Sequence, residues 1–168
     1  TNKENKLGEE DKIILELINN CKKVEMKRDK FELSFMLKKL INELDTSPNT
    51  NKARKINMET IQTLINYLNN LLLNKCFDDA FMTQNVIKIF RNLFLSIKSD
   101  ENLRKFYIKL IGESLLNYLN TKKFVSEKQK ATKIEASSKI FELFIKIIKK
   151  LRYKSYLIGK DILKILFD

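Results

Sequence analysis

Glycine and proline are scarce in this chain, and that scarcity limits the possible folds more than any other feature of the sequence. The 168 residues include only 3 glycines and 1 proline, well below ordinary usage. A sheet whose strands are joined by tight turns needs many more, because these two residues supply the backbone angles of such turns. Hydrophobic residues make up 43% and charged residues 32% of the chain, a balance typical of folded helical proteins. We therefore predict an all-α fold.

Apolar residues recur at helical spacing in seven stretches, which predict seven amphipathic helices. These helices cover residues 10–25, 31–44, 57–73, 82–97, 106–119, 134–150 and 153–167. Because the connections are short, consecutive helices should pack as antiparallel hairpins, in an irregular bundle stacked like HEAT or armadillo proteins. The fourth helix has the most hydrophobic stripe and is expected to lie at the centre.

Particular side chains give finer expectations. Asn57 is predicted to cap the third helix, and Asp78 or Asp79 the fourth. Gly112 and Gly159 stand alone within helical patterns, and each is expected to permit close packing of two helices. The apolar residues at helical spacing in the second helix are Phe31, Phe35, Leu37, Leu40, Ile41 and Leu44.

Two polar stretches are expected to be loops. Residues 45–55 contain the proline, and residues 122–133 hold few apolar side chains and are expected to form at most one short helical turn. The chain is thus interpreted as a flexible segment, residues 1–9, followed by a single helical domain, residues 10–168.

The sequence offers little of the chemistry that enzymes use. It has no histidine, so the usual general base near neutral pH is missing, and no glycine-rich phosphate-binding motif occurs. Cys21 and Cys76 lie far apart without a CxxC pair, and we predict that both are reduced, buried thiols rather than metal ligands or nucleophiles. Asp78 and Asp79 are adjacent, so a helix would point them in different directions, which favours capping over catalysis. We expect a protein that is not an enzyme and has no cofactor, metal or small-molecule site.

No apolar run approaches the length of a membrane span, and the first residues are polar, so neither a membrane segment nor a signal peptide is predicted. An intracellular, reducing compartment is expected. The formal net charge of +12 favours contact with nucleic acid, anionic lipid or an acidic protein segment. The alternative is that the charge reflects composition, since lysine, asparagine and isoleucine are abundant throughout, as in proteins from AT-rich genomes.

Positive charge is interleaved with aromatic residues at two predicted helix ends. The larger cluster consists of Lys146, Lys149, Lys150, Arg152, Tyr153, Lys154 and Tyr156, and the smaller one of Lys122, Lys123 and Phe124. Lysine dominates over arginine and no known motif surrounds these residues, so a nucleic-acid contact would be weak. Docking of a short acidic and hydrophobic peptide fits both clusters better, because charge steers the encounter and apolar side chains anchor it.

The order of the segments resembles the core of the Iws (also Spn) transcription elongation factors. The segments that carry the resemblance are IILELINNCKKVEMKRDKFEL, FMLKKLINEL, YLNNLLLNKCFDDAFMTQNVIKIFRNLF and the stretch from residue 111 to residue 168. In the third segment Arg91 matches the family's basic residue. The chain departs from the pattern at LFLSIKSDEN, where the family has a tryptophan and a proline-rich turn, and its closing helix lacks tryptophan.

The resemblance implies a helical extension, residues 10–99, followed by a TFIIS N-terminal-like part, residues 100–168. It also implies a non-catalytic nuclear adaptor that binds short motifs of partners such as the histone chaperone Spt-six; a cytoplasmic location is the alternative. The partner-contacting residues would lie at two interhelical loops, with Phe124 and Tyr153 as anchors. They are Lys122, Lys123, Phe124, Val125, Lys150, Leu151, Arg152, Tyr153 and Lys154. The competing hypotheses are a HEAT-like scaffold within a larger protein and a basic nucleic-acid-binding domain.

Overall fold

The described part of the chain is built from helices. The computed structural model describes residues 7–44, 56–74, 79–96, 101–120 and 126–151, with the backbone alone for residues 94–96, 101–108, 111, 147, 148, 150 and 151. The elements are α1 (Glu9–Met26), α2 (Lys30–Glu43), α3 (Met58–Asn74), α4 (Ala80–Ser96), α5 (Glu101–Asn120) and α6 (Glu127–Leu151). The prediction of an all-α fold is confirmed, while the seventh predicted helix lies outside the described residues.

A tight turn folds α1 and α2 into a hairpin. Arg28 lies in the left-handed region with φ 57°, which reverses the direction of the chain within residues 27–29. The Oδ1 atom of Asp29 then accepts hydrogen bonds from the backbone N–H groups of Phe31 and Glu32, both at 3.0 Å. This carboxylate satisfies donors that the first turn of α2 would otherwise leave free.

The helices pack in two rows. One row consists of α1, α3 and α5, each in contact with the next, and the other of α2, α4 and α6; the rows are joined by contacts of α1 with α2, α3 with α4 and α5 with α6. Helix α4 also contacts α5 and therefore touches four other helices, which confirms the prediction of its central position.

Two buried asparagines of α4 set its position along α2. Asn85 donates from Nδ2 to the Ser34 hydroxyl at 3.3 Å, and Asn92 donates from Nδ2 to the Ile41 carbonyl at 3.1 Å. Each pair is separated by 51 residues along the chain, so a step of seven residues along α2 matches a step of seven residues along α4 in the same direction. Helices α2 and α4 therefore run parallel, in register.

Capping side chains begin two further helices where the sequence predicts them. Asn57 accepts from the backbone N–H of Glu59 at 3.2 Å at the start of α3, and Asp79 accepts from that of Met82 at 2.9 Å at the start of α4. Both predicted caps are confirmed, with Asp78 outside the described residues. Cys21 is a free, buried thiol as predicted, and Cys76 lies outside the described residues.

The apolar residues of α2 divide between a buried side and an exposed side. Phe31 and Phe35 are 91% and 57% exposed, whereas Leu33, Leu37 and Leu40 are buried. The helix has apolar residues on two sides, and α1 and α4 cover the leucine side. Spacing alone does not reveal which of two apolar sides meets a neighbouring helix.

The predicted loop at residues 122–133 is wrong for its second half, because α6 begins at Glu127. Ser126 accepts from the backbone N–H of Gln129, and the Gln129 side chain accepts from that of Ser126, both at 3.1 Å. This reciprocal pair is a capping box. It starts the helix despite the few apolar residues that follow.

Gly112 is buried, and a Cβ atom at this position would meet no described atom within 4 Å. The close packing expected there is therefore not found among the described helices. Gly159 lies outside the described residues.

Candidate interaction surface

The residues predicted as a partner site fall almost entirely outside the described part of the chain. Lys150 and Leu151 belong to the last turn of α6, and of these two residues the structure describes the backbone. The remaining predicted contacts, which lie outside the described residues, are Lys122, Lys123, Phe124, Val125, Arg152, Tyr153 and Lys154. Lys146 and Lys149 of the larger basic cluster are described, and both are exposed on α6.

Lys146 is part of a groove between α4 and α6. The groove encloses about 100 Å³, room for a group of a few heavy atoms, and we call it the basic groove. Its lining consists of Gln84, Ile87, Lys88 and Arg91 from α4, and Lys139, Glu142, Leu143 and Lys146 from α6. Ile87 and Leu143 are buried and form its apolar floor. All the charged residues of the groove belong to helices α4 and α6 rather than to loops. The packing of these two helices on the core fixes the positions of their backbones.

Four cations and one carboxylate line the basic groove. Glu142 lies 3.6 Å from the Lys139 ammonium, both side chains being about half exposed. In the described part of the chain, Lys88, Arg91 and Lys146 have no carboxylate within ion-pairing distance. The Nε atom of Arg91 is buried and has no hydrogen-bond partner there. The groove therefore presents an excess of positive charge.

Three exposed phenylalanines form what we call the aromatic patch. Phe31 and Phe35 come from α2 and Phe81 from the first turn of α4, with exposed fractions of 91%, 57% and 52%. The Lys38 ammonium lies 5.1 Å from the centre of the Phe81 ring, and the Lys39 ammonium 4.8 Å from that of Phe35. These cation–π contacts place positive charge at the patch as well.

The aromatic patch and the basic groove lie on the same face of the molecule. On α4, Phe81 and Lys88 are seven residues apart, which is about two helical turns, and so they share one side of the helix. The Gln84 side chain of α4 donates a hydrogen bond to Glu135 of α6, and the Asn85 side chain of α4 donates one to Ser34 of α2. Helix α4 therefore lies between α2 and α6. We call the surface of these three helices that carries the aromatic patch and the basic groove the outer face.

A second cavity, of about 320 Å³, lies at the turn between α1 and α2. Its apolar wall is formed by Leu33 and Met82, and its rim by Glu25, Arg28, Asp29 and Lys30. Charges of both signs alternate around this rim. It therefore lacks the single-sign field of the basic groove.

Cys21, the described cysteine, is unsuited to nucleophilic chemistry. Burial, together with the nearby Glu25 carboxylate, raises the pKa of the Cys21 thiol from about 9 to about 12. Glu25 in turn accepts a 2.6 Å hydrogen bond from the Tyr67 hydroxyl. The thiolate, which is the reactive form, is thus suppressed at neutral pH. Among the residues that the structure describes, no group of three acidic or cysteine side chains is placed to bind a metal.

The outer face cannot be predicted from the sequence alone, because the residues that form it are far apart along the chain. Lys88 and Arg91 lie about fifty positions before Lys139 and Lys146. The available clue was the spacing within each helix, three residues in α4 and seven in α6, which places each pair on one side. Only the packing of α4 on α6 brings the two pairs together.

No family model matches the chain, and no curated protein or solved structure is significantly similar to it. The resemblance to the Iws/Spn factors thus depends on the quoted segments and stays a prediction. Across the helices described, none combines the length and apolarity that crossing a bilayer requires.

Proposed function

We propose that this protein is a non-catalytic adaptor whose outer face binds a short acidic and hydrophobic segment of a partner protein. The observation that carries the proposal is the basic groove, with its excess of cations, lying beside the aromatic patch on one rigid face. Charge at such a face steers the encounter, and buried apolar side chains supply most of the binding energy.

The packing of the helices supports a HEAT- or armadillo-like architecture within this proposal. The bridges from α2 to α4 and from α4 to α6 all join residues 51 positions apart. A constant offset is expected when similar helical hairpins stack with the same geometry. Stacks of this kind present one row of helices as an extended binding surface, here the row of α2, α4 and α6.

The exposure of the phenylalanines favours a protein ligand. Core formation does not require Phe31, Phe35 or Phe81, since leucines of α2 and Met82 of α4 fill the interior beneath them. Clustered exposed aromatic side chains with a polar surround are a common feature of protein-binding sites.

The cellular setting in this proposal comes from the Iws/Spn resemblance: a nuclear protein of transcription elongation, with Spt-six as a candidate partner. In that case the two predicted loop sites, residues 122–125 and 150–154, would contribute further contacts. The outer face and these loops are separate predictions and can be tested separately.

Nucleic-acid binding is the second candidate, favoured by the net charge of +12 and by the groove itself. Single-stranded nucleic acid, however, stacks its bases on free aromatic faces. Lysine ammonium groups lie over the rings of Phe35 and Phe81, so one face of each ring is already occupied. This arrangement supports a peptide over a base-stacking ligand.

Selection of random displayed peptides on the folded chain tests the proposal. We expect enrichment of peptides that combine aspartate or glutamate with leucine or phenylalanine. For the selected peptides, Phe81→Ala should weaken binding about tenfold, the effect of losing an interface anchor. Phe141→Ala is the matched control, because Phe141 is 45% exposed on α6 but belongs neither to the aromatic patch nor to the groove lining.

Equal binding by the Phe81→Ala and Phe141→Ala variants would remove the outer face from the proposal. Enrichment of no peptide, together with tight, strongly salt-dependent binding of single-stranded RNA, would replace the adaptor with the nucleic-acid hypothesis.

A further inference from the structure

We infer that the basic groove recognises a phosphorylated side chain, a phosphoserine or phosphothreonine, in a segment whose apolar residue contacts the aromatic patch. This inference rests on the proposed function and narrows its ligand class. A phosphate group is a more specific ligand than an acidic stretch, and its addition would switch binding on.

The charges in the groove favour a dianion over a single carboxylate. Lys139 is already paired with Glu142, which leaves Lys88, Arg91 and Lys146 without an ion-pair partner among the described residues. A carboxylate would balance one of these three charges. A phosphorylated side chain carries about −1.5 to −2 at neutral pH and offers three strong acceptor oxygens.

Arg91 supplies the geometry that a phosphate needs. Its guanidinium holds several N–H donors in a planar fork that pairs with two oxygens of one phosphate. The Nε atom is buried and has no hydrogen-bond partner among the described residues, so this side chain carries a donor that no described acceptor satisfies.

The distance along α4 predicts the spacing of the ligand. Phe81 precedes Lys88 and Arg91 by seven and ten residues, which is about 11 to 15 Å at a rise of 1.5 Å per residue. An extended segment covers that distance in about three to five residues. The apolar residue and the phosphorylated residue of the ligand should therefore lie about three to five positions apart.

Glu142 provides a test that unfolding cannot mimic. It is the carboxylate among the groove-lining residues, and its charge opposes a bound phosphate. Glu142→Gln removes that charge and keeps the shape of the side chain. We expect this variant to bind phosphopeptides several-fold more tightly, whereas Glu113→Gln, at an exposed site on α5, should leave affinity unchanged.

The experiment measures fluorescence anisotropy of labelled peptides with the full chain. The peptides carry one leucine and one serine at varied spacing, each in phosphorylated and unphosphorylated form, alongside free inorganic phosphate and single-stranded RNA as competitors. Phosphorylation should tighten binding about tenfold or more, because the phosphate adds charge-assisted hydrogen bonds that the serine hydroxyl cannot make. The preference should peak at the predicted spacing.

Two loss-of-charge variants complete the test. Arg91→Lys keeps the charge but loses the planar fork, and Lys146→Ala removes an exposed charge with little risk to folding. Both should reduce the preference for phosphopeptide, while Lys109→Ala, at an exposed lysine of α5, should not.

The possible outcomes separate the two proposals. Equal affinity for phosphorylated and unphosphorylated peptides would overturn the phosphate inference and leave the adaptor proposal standing. Binding of neither form would contradict both. Displacement by RNA at concentrations similar to those of the phosphopeptide would assign the groove to nucleic-acid backbones instead.

Discussion

Asp11 is a buried carboxylate that joins two distant parts of the chain. One oxygen accepts from the backbone N–H of Gly8 at 3.2 Å, and the other from that of Asn57 at 2.8 Å. The first bond caps α1, and the second holds the start of α3 against it. Because Asp11 is 3% exposed, water cannot easily replace either bond if the carboxylate is lost.

We expect Asp11→Ala to lower the free energy of unfolding by about 2 to 3 kcal/mol, the cost of leaving buried donors without a charged acceptor. Asp11→Asn retains one acceptor oxygen and should cost less. Urea denaturation followed by circular dichroism measures both changes. Equal stability of the alanine variant and the parent would show that water replaces the carboxylate.

The buried thiol of Cys21 makes stability depend on pH. Its folded pKa of about 12 lies above the value of about 9 expected when it is exposed. The folded state therefore holds the thiol proton more tightly than the unfolded state does. The associated stability is complete below about pH 9 and is lost as the pH rises towards about 12.

Over that interval the stability of the parent should fall, relative to that of Cys21→Ala, by up to about 1.4 kcal/mol per pH unit. The difference between the two proteins isolates this thiol from the lysines and tyrosines that titrate in the same range. Urea unfolding at successive pH values provides the measurement. Parallel pH profiles would mean that the folded environment leaves the thiol unperturbed.

Among the elements, α2 has two chemically similar sides with different roles. Its leucine side packs on α1 and α4, and its phenylalanine side belongs to the outer face. Hydrophobic residues on the exposed side add little to folding. They are therefore available for binding.

Substitutions on the two sides of α2 should differ sharply. Leu33→Ala is expected to lower the free energy of unfolding by about 2 to 4 kcal/mol, because it removes a buried side chain and leaves a cavity. Phe31→Ala, at a side chain that is 91% exposed, should change it by less than about 0.5 kcal/mol. Thermal and urea unfolding of the two variants distinguish them. A large loss of stability in Phe31→Ala would place its ring in the core.

At the element scale, features that depend on interactions between residues close in the sequence can be predicted from it, whereas features that depend on packing between helices cannot. The caps at Asn57 and Asp79 depend on hydrogen bonds to residues two or three positions away, so the local sequence suffices to predict them. The orientation of Phe31 depends on which helices pack against α2, and the basic groove depends on contact between α4 and α6. Such contacts are absent from any local stretch. The capping box of Ser126 and Gln129 is a local motif, but few apolar residues follow it, so the apolar spacing does not indicate a helix there.

At the scale of the whole molecule, α4 has more neighbouring helices than any other described helix. It contacts α2, α3, α5 and α6, and Phe90 in its middle is fully buried. Helices at the two ends of the rows have fewer neighbours. Local opening should therefore be cheapest at the ends and most costly at α4.

Native-state hydrogen exchange should find the slowest-exchanging amides in α4. Phe90→Ala is expected to lower the free energy of unfolding by about 3 to 5 kcal/mol. Because α4 contacts both helices beside it in its own row and two helices of the other row, the loss should appear as one transition in which the described helices unfold together. Separate transitions for α1–α2 and for the rest would show that the hairpins are only loosely coupled.

The bond between Asp11 and Asn57 also affects the order of folding. It joins residues 46 positions apart and closes a loop that contains the whole of α2. Closing this loop lowers the conformational entropy of the chain before the hydrogen bond can form. Contacts within the α1–α2 hairpin close much shorter loops and can form first. An interaction made after the folding barrier slows unfolding rather than speeding folding. We therefore expect the loss of this bond to speed unfolding more than it slows folding.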